Sequence, residues 1–237
     1  MHSNTQLLKT GLITKCELLP GCSNDAYLIE ISDNSQNLVI KAVYKPKDGE
    51  KPLWDFPNGT LYKREYAAFL ISKELGWPNI PETVIRDGPF GIGSIQLYIN
   101  HDPQVTYFDL VSEEFKGLIE LAIFDILINN ADRKAGHCIL DKENNLWSID
   151  HGLCFHSNFK IRTVMLEFWG AKIDDGFIIN LESLGEQLSQ DSSLRLNLLR
   201  LISEDEIFSL LSRTNSLTSA GIIPVLNPYN NIPWPLI

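Results

Sequence analysis

Residues 13 to 100 run as short β-rich stretches and turns around a single helical segment, whereas most of the chain after Val111 has helical spacing, broken by one short pair of β-like runs. Strands gathered ahead of helices are the sequence pattern of an α+β protein. The split predicts two lobes, a small β-rich lobe with one helix over 1–100 and a helical lobe over 101–237. A chain of 237 residues is long enough for two small lobes sharing an interface.

In the first lobe, Ala26 to Ile31 and Leu38 to Tyr44 are predicted to pair antiparallel through the polar stretch 32–37. The turn-rich, charged run from Pro46 to Thr60 reads as a long surface loop. Thr60 is expected to cap a helix over Leu61 to Leu75, which Gly76 and Pro78 then stop. A hairpin follows, with Thr83 to Arg86 and Ser94 to Ile99 flanking a glycine-rich turn at 87–93, and residues 97–104 are the expected hinge. In the second lobe, Glu113 to Asn130 reads as one mostly buried helix. The loop ADRKAGH, the run CIL, the turn DKENN, the run LWSI and the triplet Asp150-His151-Gly152 come next. Further helices are expected near 180–190, 193–202 and 204–213, before an irregular proline-rich tail over 224–235.

Charge and cysteine usage narrow the function. Thirty acidic against twenty basic side chains give a formal charge of −10, a field that repels phosphate backbones and anionic lipid surfaces. No nucleic-acid partner and no membrane docking are expected. Cys16, Cys22, Cys138 and Cys154 form no CxxC pair and are too few for a disulfide scaffold, so free thiols and a cytoplasmic protein are expected. The amino terminus lacks an apolar signal core, and the apolar run 118–128 is interrupted by Glu120 and Asp125, so a soluble chain is expected.

Asp132 and Asp150 flank the predicted CIL–LWSI hairpin, so both carboxylates can emerge at one end of it, with His137 on the same loop. Phosphoryl transfer uses such a pair, one carboxylate orienting the acceptor and the other holding a divalent ion on the phosphates. Taken singly, each aspartate also fits a turn residue bonding nearby amides, and His137 a hydrogen-bonded loop histidine.

NNADRKAGHCIL followed by LWSIDHGLCFH resembles the catalytic and metal loops of the phosphatidylinositol 3- and 4-kinase-like branch of the protein-kinase-like fold. YKPKDGEKPL resembles the lysine strand of type II phosphatidylinositol 4-kinases. The set YKP, WDFPNGTLYKREYAAF, LGW, RDGPFGIGSIQ, NNADRK and IDHG, spread over about residues 10 to 170, is similar to an uncharacterised bacterial family of that kinase-like type. The resemblance implies a two-lobed kinase-like fold in which Asp132 is the catalytic aspartate and Asp150 a metal ligand. It implies that Lys45 contacts nucleotide phosphates and that Glu65 pairs with that lysine. His137 stands where the lipid kinases place a metal-binding asparagine, and is expected as a second metal ligand.

PGCSND at 20–25 is the expected phosphate-cradling loop, with Gly21 permitting close backbone approach and Ser23 donating to an oxygen; an ordinary hairpin turn fits equally. The expected cofactors are ATP with Mg2+ or Mn2+, and the expected activity is phosphoryl transfer to a small molecule or protein rather than a lipid. A nucleotide-binding pseudokinase or regulatory module, and an AMP transferase on the same fold, are the alternatives. Lys160, Arg162 and LEFWG offer a basic and apolar patch after Gly152. Trp54, Phe56, Trp77, Trp147, Phe155, Phe168 and Trp169 are expected to pack in the core or between the lobes.

Overall fold

A computed structural model describes residues 4–33 and 38–237. The first lobe is a five-stranded sheet in the order β1-β2-β3-β5-β4. Its strands are β1 at Leu12–Leu18, β2 at Tyr27–Asp33, β3 at Leu38–Pro46, β4 at Thr83–Gly88 and β5 at Gly91–Leu97, and every neighbouring pair is antiparallel. Alternate residues of these strands (Ile29 and Ile31, Ala42 and Tyr44) join Val84 and Ile95 in one core, which Leu7 and Leu8 of a short helix, α1 at Asn4–Thr10, close. That period-2 burial is what a sheet covered on one face requires. The predicted β2–β3 pair is present, from Tyr27↔Tyr44 to Asp33↔Leu38; positions 34–37 of its expected connection lie outside the described residues. Helix α1 is not foreshadowed by any motif.

The glycine-rich stretch 87–93 is mostly strand rather than turn. Gly88 pairs with Gly91 and Arg86 with Gly93, which leaves Pro89 and Phe90 as the connection. Gly93 lies opposite Pro46 on β3, and a Cβ there would collide with the carbonyl oxygen of Lys45. A side chain at 93 would therefore push apart the two strands that aim Lys45.

Helix α2 spans Leu61–Leu75, and Gly76 ends it with φ 79°. Thr60 does not cap it; its hydroxyl donates to the carbonyl of Pro57. The Glu50 carboxylate caps instead, accepting from the amides of Leu61 (3.1 Å) and Tyr62 (2.8 Å). A negative charge at a helix N-terminus satisfies orphan donors and complements the dipole. The loop that precedes α2 is thus tied to its first turn.

The second lobe holds α3 at Tyr107–Ser112, α4 at Leu118–Ile128, a hairpin of β6 (Cys138–Leu140) and β7 (Leu146–Ser148), then α5 at Asp175–Ser189, α6 at Ser193–Leu198 and α7 at Glu204–Ala220. The single helix expected over 113–130 is shorter and starts later. Glu114 at φ 52° and Gly117 at φ 94° break the chain ahead of α4, and α3 begins separately on a Thr106–Asp109 capping box. α7 continues to Ala220, beyond the expected end. Most of α4 is buried, and α2 contributes Ala67, Ala68, Phe69, Ile71 and Leu75 to the same large core. The helix that sequence order places in the first lobe packs on β4 and β5 of that lobe and also contributes to the core of the second.

Phe56, Trp77 and Phe155 are buried as expected, but Trp54 is 92% exposed and packs in neither core. The four cysteines are free. Among the described residues no helix is long and apolar enough to cross a membrane. The tail after Gly221 is irregular, as its prolines predict, yet it is bonded along its length: Gly170 to Ile223, Thr163 to Asn231 and Ala135 to Leu236 are joined by backbone hydrogen bonds.

Candidate active site

Lys45 lies one residue before the end of β3, opposite Ser94 of β5 and one position past the last pairing with β2. Its ammonium bonds the Glu65 carboxylate of α2 and, at 2.9 Å, Oδ1 of Asp150 beyond β7. Glu65 is buried, and its other oxygen accepts from the backbone amide of His151 at 2.9 Å. One glutamate therefore fixes both a first-lobe cation and the backbone of the Asp150 loop. Burial works against the Lys45 charge, but Asp150 and Glu65 outweigh it and hold the ammonium above its ordinary pKa. Lys45 reciprocally holds the Asp150 carboxyl far below the usual carboxylate range. Burial pushes the Glu65 carboxyl up, with Lys45 pulling against it.

Asp150 has φ 62°. A non-glycine residue in the left-handed region is uncommon and is retained where surrounding contacts over-determine it. The contacts here run through Arg133, a fully buried side chain that sequence reasoning assigned no role. Its guanidinium pairs with both oxygens of Asp125 in α4 (2.8 and 2.9 Å), donates to the carbonyls of His137 and Ile149, and reaches Ser148 Oγ and His151 Nε2. The loop carrying Asp132 and the loop carrying Asp150 hang on this one group. The available signal was Asp125, a carboxylate set in the most apolar helix of the chain eight positions ahead of an arginine.

Asp132 and His137 stand on the first of those loops. Asn130 Oδ1 accepts from the Asp132 amide at 3.0 Å, and Asn130 Nδ2 donates to Asp125, so the turn into Asp132 is tied to the same buried pair. Burial raises the Asp132 carboxyl, against the pull of Lys134 3.7 Å away. A carboxylate made more basic in this way is better suited to accept a proton. Burial lowers His137 to about 4, so its imidazole is neutral near pH 7. Nδ1 of His137 accepts from the Lys134 amide at 3.4 Å, which leaves the hydrogen on Nε2, 3.3 Å from Oδ2 of Asp150.

These side chains share one cavity of about 500 Å3, whose lining includes Gly21, Ser23, Lys45, Glu65, Asp132, His137 and Asp150. All seven residues singled out in the sequence are thereby brought together. Gly21 has φ 81°, which the turn requires of a glycine, and no protein atom lies where a Cβ would project. Ile237 also lines the cavity, a neighbour no sequence motif indicated.

Among the described residues no three His, Cys, Asp or Glu side chains converge as a self-sufficient metal site. Asp150 is half exposed and directed at the cavity, which fits an ion that arrives with phosphate oxygens as its remaining ligands, the usual habit of magnesium beside nucleotides. His137 fits less directly. Nε2 becomes a lone-pair donor only if the ring hydrogen moves to Nδ1, against the Lys134 amide.

The sheet order, the lysine–glutamate bridge from β3 to α2 and the paired loops around β6 and β7 define a kinase-like fold. The crystal structure of the Golgi casein kinase superimposes with a TM-score of 0.51 over 91% of this chain and 74% of that one, at 16% identity. Protein Rv2133c of Mycobacterium tuberculosis is 35% identical across 264 aligned positions, covering 97% of this chain and 94% of that protein, and the chain belongs to its family. Phosphatidylinositol 4-kinase gamma 4 of Oryza sativa is 25% identical over 183 positions, 62% of this chain but 32% of that longer protein. No family profile matches the chain.

Proposed function

We propose that the protein is a phosphotransferase that uses ATP and a divalent ion and transfers to an acceptor other than a lipid. The observation that carries this reading is the Lys45 ammonium bonded to Glu65 and Asp150 at once, in a cavity shared with Asp132. Phosphoryl transfer asks the protein for position and charge more than for covalent chemistry. Lys45, aimed by Glu65, would meet nucleotide phosphates, with the loop at Gly21 and Ser23 closing over them. Asp150 would hold the divalent ion, which supplies neutralisation of phosphate charge when bound. His137 Nε2–H would steady the Asp150 carboxylate, and the imidazole would become a second ligand only on changing tautomer. Asp132, free of any direct bond to Lys45 and more basic than an exposed aspartate, would take the acceptor proton.

Incubation with Mg2+-ATP or Mn2+-ATP followed by intact-mass spectrometry, with thermal shifts on the same samples, tests the reading. Asp132→Ala should lower transfer by about 100- to 10,000-fold and keep the nucleotide-induced shift. Asp150→Ala should lose the metal-dependent part of the shift. A persistent shift with no transfer to protein, water or added acceptors would favour a nucleotide-binding regulatory module. The sparse metal-ligating set, one carboxylate and one neutral imidazole, is what supports that second reading. Addition of an AMP mass would favour adenylyl transfer.

A further inference from the structure

A second hollow, of about 350 Å3, opens beside the first between the 53–56 loop and the 159–162 segment. Leu53 and Leu153 line both cavities, so the two spaces adjoin. We propose that this hollow is the acceptor site, and that it takes a small molecule bearing a carboxylate or phosphate on a flat apolar body. The inference rests on the phosphotransferase reading.

Two cations stand in the hollow, and they are not equivalent. Lys160 is neutralised by Asp55 at 2.9 Å and lies 4.8 Å from the Trp54 ring centroid. Arg162 is exposed and forms no salt bridge among the described residues, although its charge is close enough to Asp132 to pull that carboxyl down. Its backbone amide donates to the Asn130 carbonyl and its Nε to the Ala131 carbonyl at 2.6 Å. The guanidinium is thus anchored to the residue just before Asp132, while its terminal nitrogens remain for a ligand. That planar fork matches carboxylate and phosphate oxygens. In a chain of formal charge −10, an exposed arginine with no salt bridge of its own, lining the hollow beside Asp132, is a local attraction for an anion.

The apolar half of the recognition is equally exposed. Trp54 is 92% and Phe159 54% exposed, and both line the hollow. Asp55, next to Trp54, holds Lys160 and also accepts from His156 through its carbonyl at 2.9 Å, so the loop and the segment are stapled together. Exposed aromatic rings give a flat body a stacking surface, and on the Trp54 side the ties at Asp55 lower its entropic cost. The volume lies at the small end of the range for small-molecule pockets. With the anion on Arg162, a hydroxyl elsewhere on the same molecule can face Asp132. Its oxygen would form the bond to the γ-phosphorus as the bond to the β,γ-bridging oxygen breaks. The hydroxyl proton would pass to Asp132, and ADP would leave.

Phenyl phosphate and phenylacetate, with benzyl alcohol as the neutral control, are suitable probes for the full-length chain, followed by tryptophan fluorescence and ligand-observed NMR. Both anions should bind and the alcohol at least ten-fold more weakly. Arg162→Gln should weaken anion binding at least ten-fold. Trp54→Ala, a change at an exposed position that leaves folding intact, should weaken binding of all three probes. A thermal shift by Mg2+-ATP is recorded on the same samples. Anion binding without a nucleotide shift would support the site and overturn the phosphotransferase reading; a nucleotide shift without anion binding would overturn the site alone. Equal affinity of Arg162→Gln and wild type, or binding of an acidic peptide but of neither aryl anion, would also overturn it.

Discussion

At the scale of single residues, the histidine and arginine near the site make opposite demands. His137 is held neutral with its pKa lowered to about 4 by burial, against about 6.5 in an unfolded chain. Below pH 6.5 the unfolded chain takes up the proton first, so folding stability is full above that pH and falls as pH drops from about 6.5 to about 4. At 1.36 kcal/mol per pKa unit the loss approaches about 3 kcal/mol. Buried His151, also lowered, adds in the same direction. Urea unfolding at pH 7.5 and pH 5 should show the decline, and His137→Asn should shrink it; a pH-independent midpoint would contradict it. Because an asparagine amide can also donate to Asp150, that variant should keep magnesium-nucleotide binding. A shift of its metal preference from manganese to magnesium would instead mark the imidazole as a ligand. Arg133 gives a larger effect. Arg133→Met leaves Asp125 charged and buried without its partner, a loss of about 3–5 kcal/mol by the measure of broken buried pairs, read from equilibrium unfolding. Changing Asp125 to Leu in the same chain should recover part of it.

At the scale of elements, periodicity and punctuation made much of the scaffold legible. Leu61–Leu75 was readable from its apolar spacing and from Gly76, and the CIL and LWSI runs became β6 and β7 because short β-rich runs between polar turns have few alternatives. Other boundaries were hidden for physical reasons. The apolar pattern runs unbroken across Gly117, so nothing periodic marks where α4 begins, and the break follows from backbone dihedrals at Glu114 and Gly117. The cap of α2 was hidden because Glu50 reaches it from eleven positions away, whereas cap signals are local. For the same reason the partnership of α2 with the second lobe could not be read. It depends on Arg64, a buried residue that donates to Glu206 in α7 at 2.7 Å and to the Cys154 carbonyl, 142 and 90 positions away. Five of the seven candidate residues came from the motif resemblance and Gly21 and Ser23 from their turn, but the Arg133–Asp125 pair that ties the Asp132 and Asp150 loops was visible only once packing joined their elements. Clamped by Arg64, α2 should hold Glu65 on Lys45 with or without nucleotide. Glu206→Ala should therefore loosen α2, raising amide exchange over Leu61–Leu75 and weakening nucleotide binding several-fold with no change in any group that touches the ligand. Unchanged exchange would place the rigidity of α2 in its apolar packing alone.

For the whole molecule, the question is what keeps the Asp132 loop in place between two lobes that nucleotide would have to bridge. One answer comes from the end of the chain. After α7 the tail runs back across the second lobe, where Thr163 donates to the Asn231 carbonyl, Asn231 Nδ2 to the Ile161 carbonyl and Ala135 to the Leu236 carbonyl. Those three acceptor and donor pairs fall on the two segments that carry Arg162 and His137, and Ile237 lines the cavity itself. At about 1 kcal/mol net per bond, removing residues 229–237 should cost about 3 kcal/mol locally. The α2 and α4 core would stay folded, because the tail adds little to it beyond Ile223 and Leu226. The truncated protein should thus show a nearly native main unfolding transition, together with faster amide exchange at Ala135 and Thr163 and weaker nucleotide binding. Uniformly faster exchange across α4 would mean that the tail supports the whole lobe; native exchange at Ala135 would mean that the Arg133 network holds the loop without it.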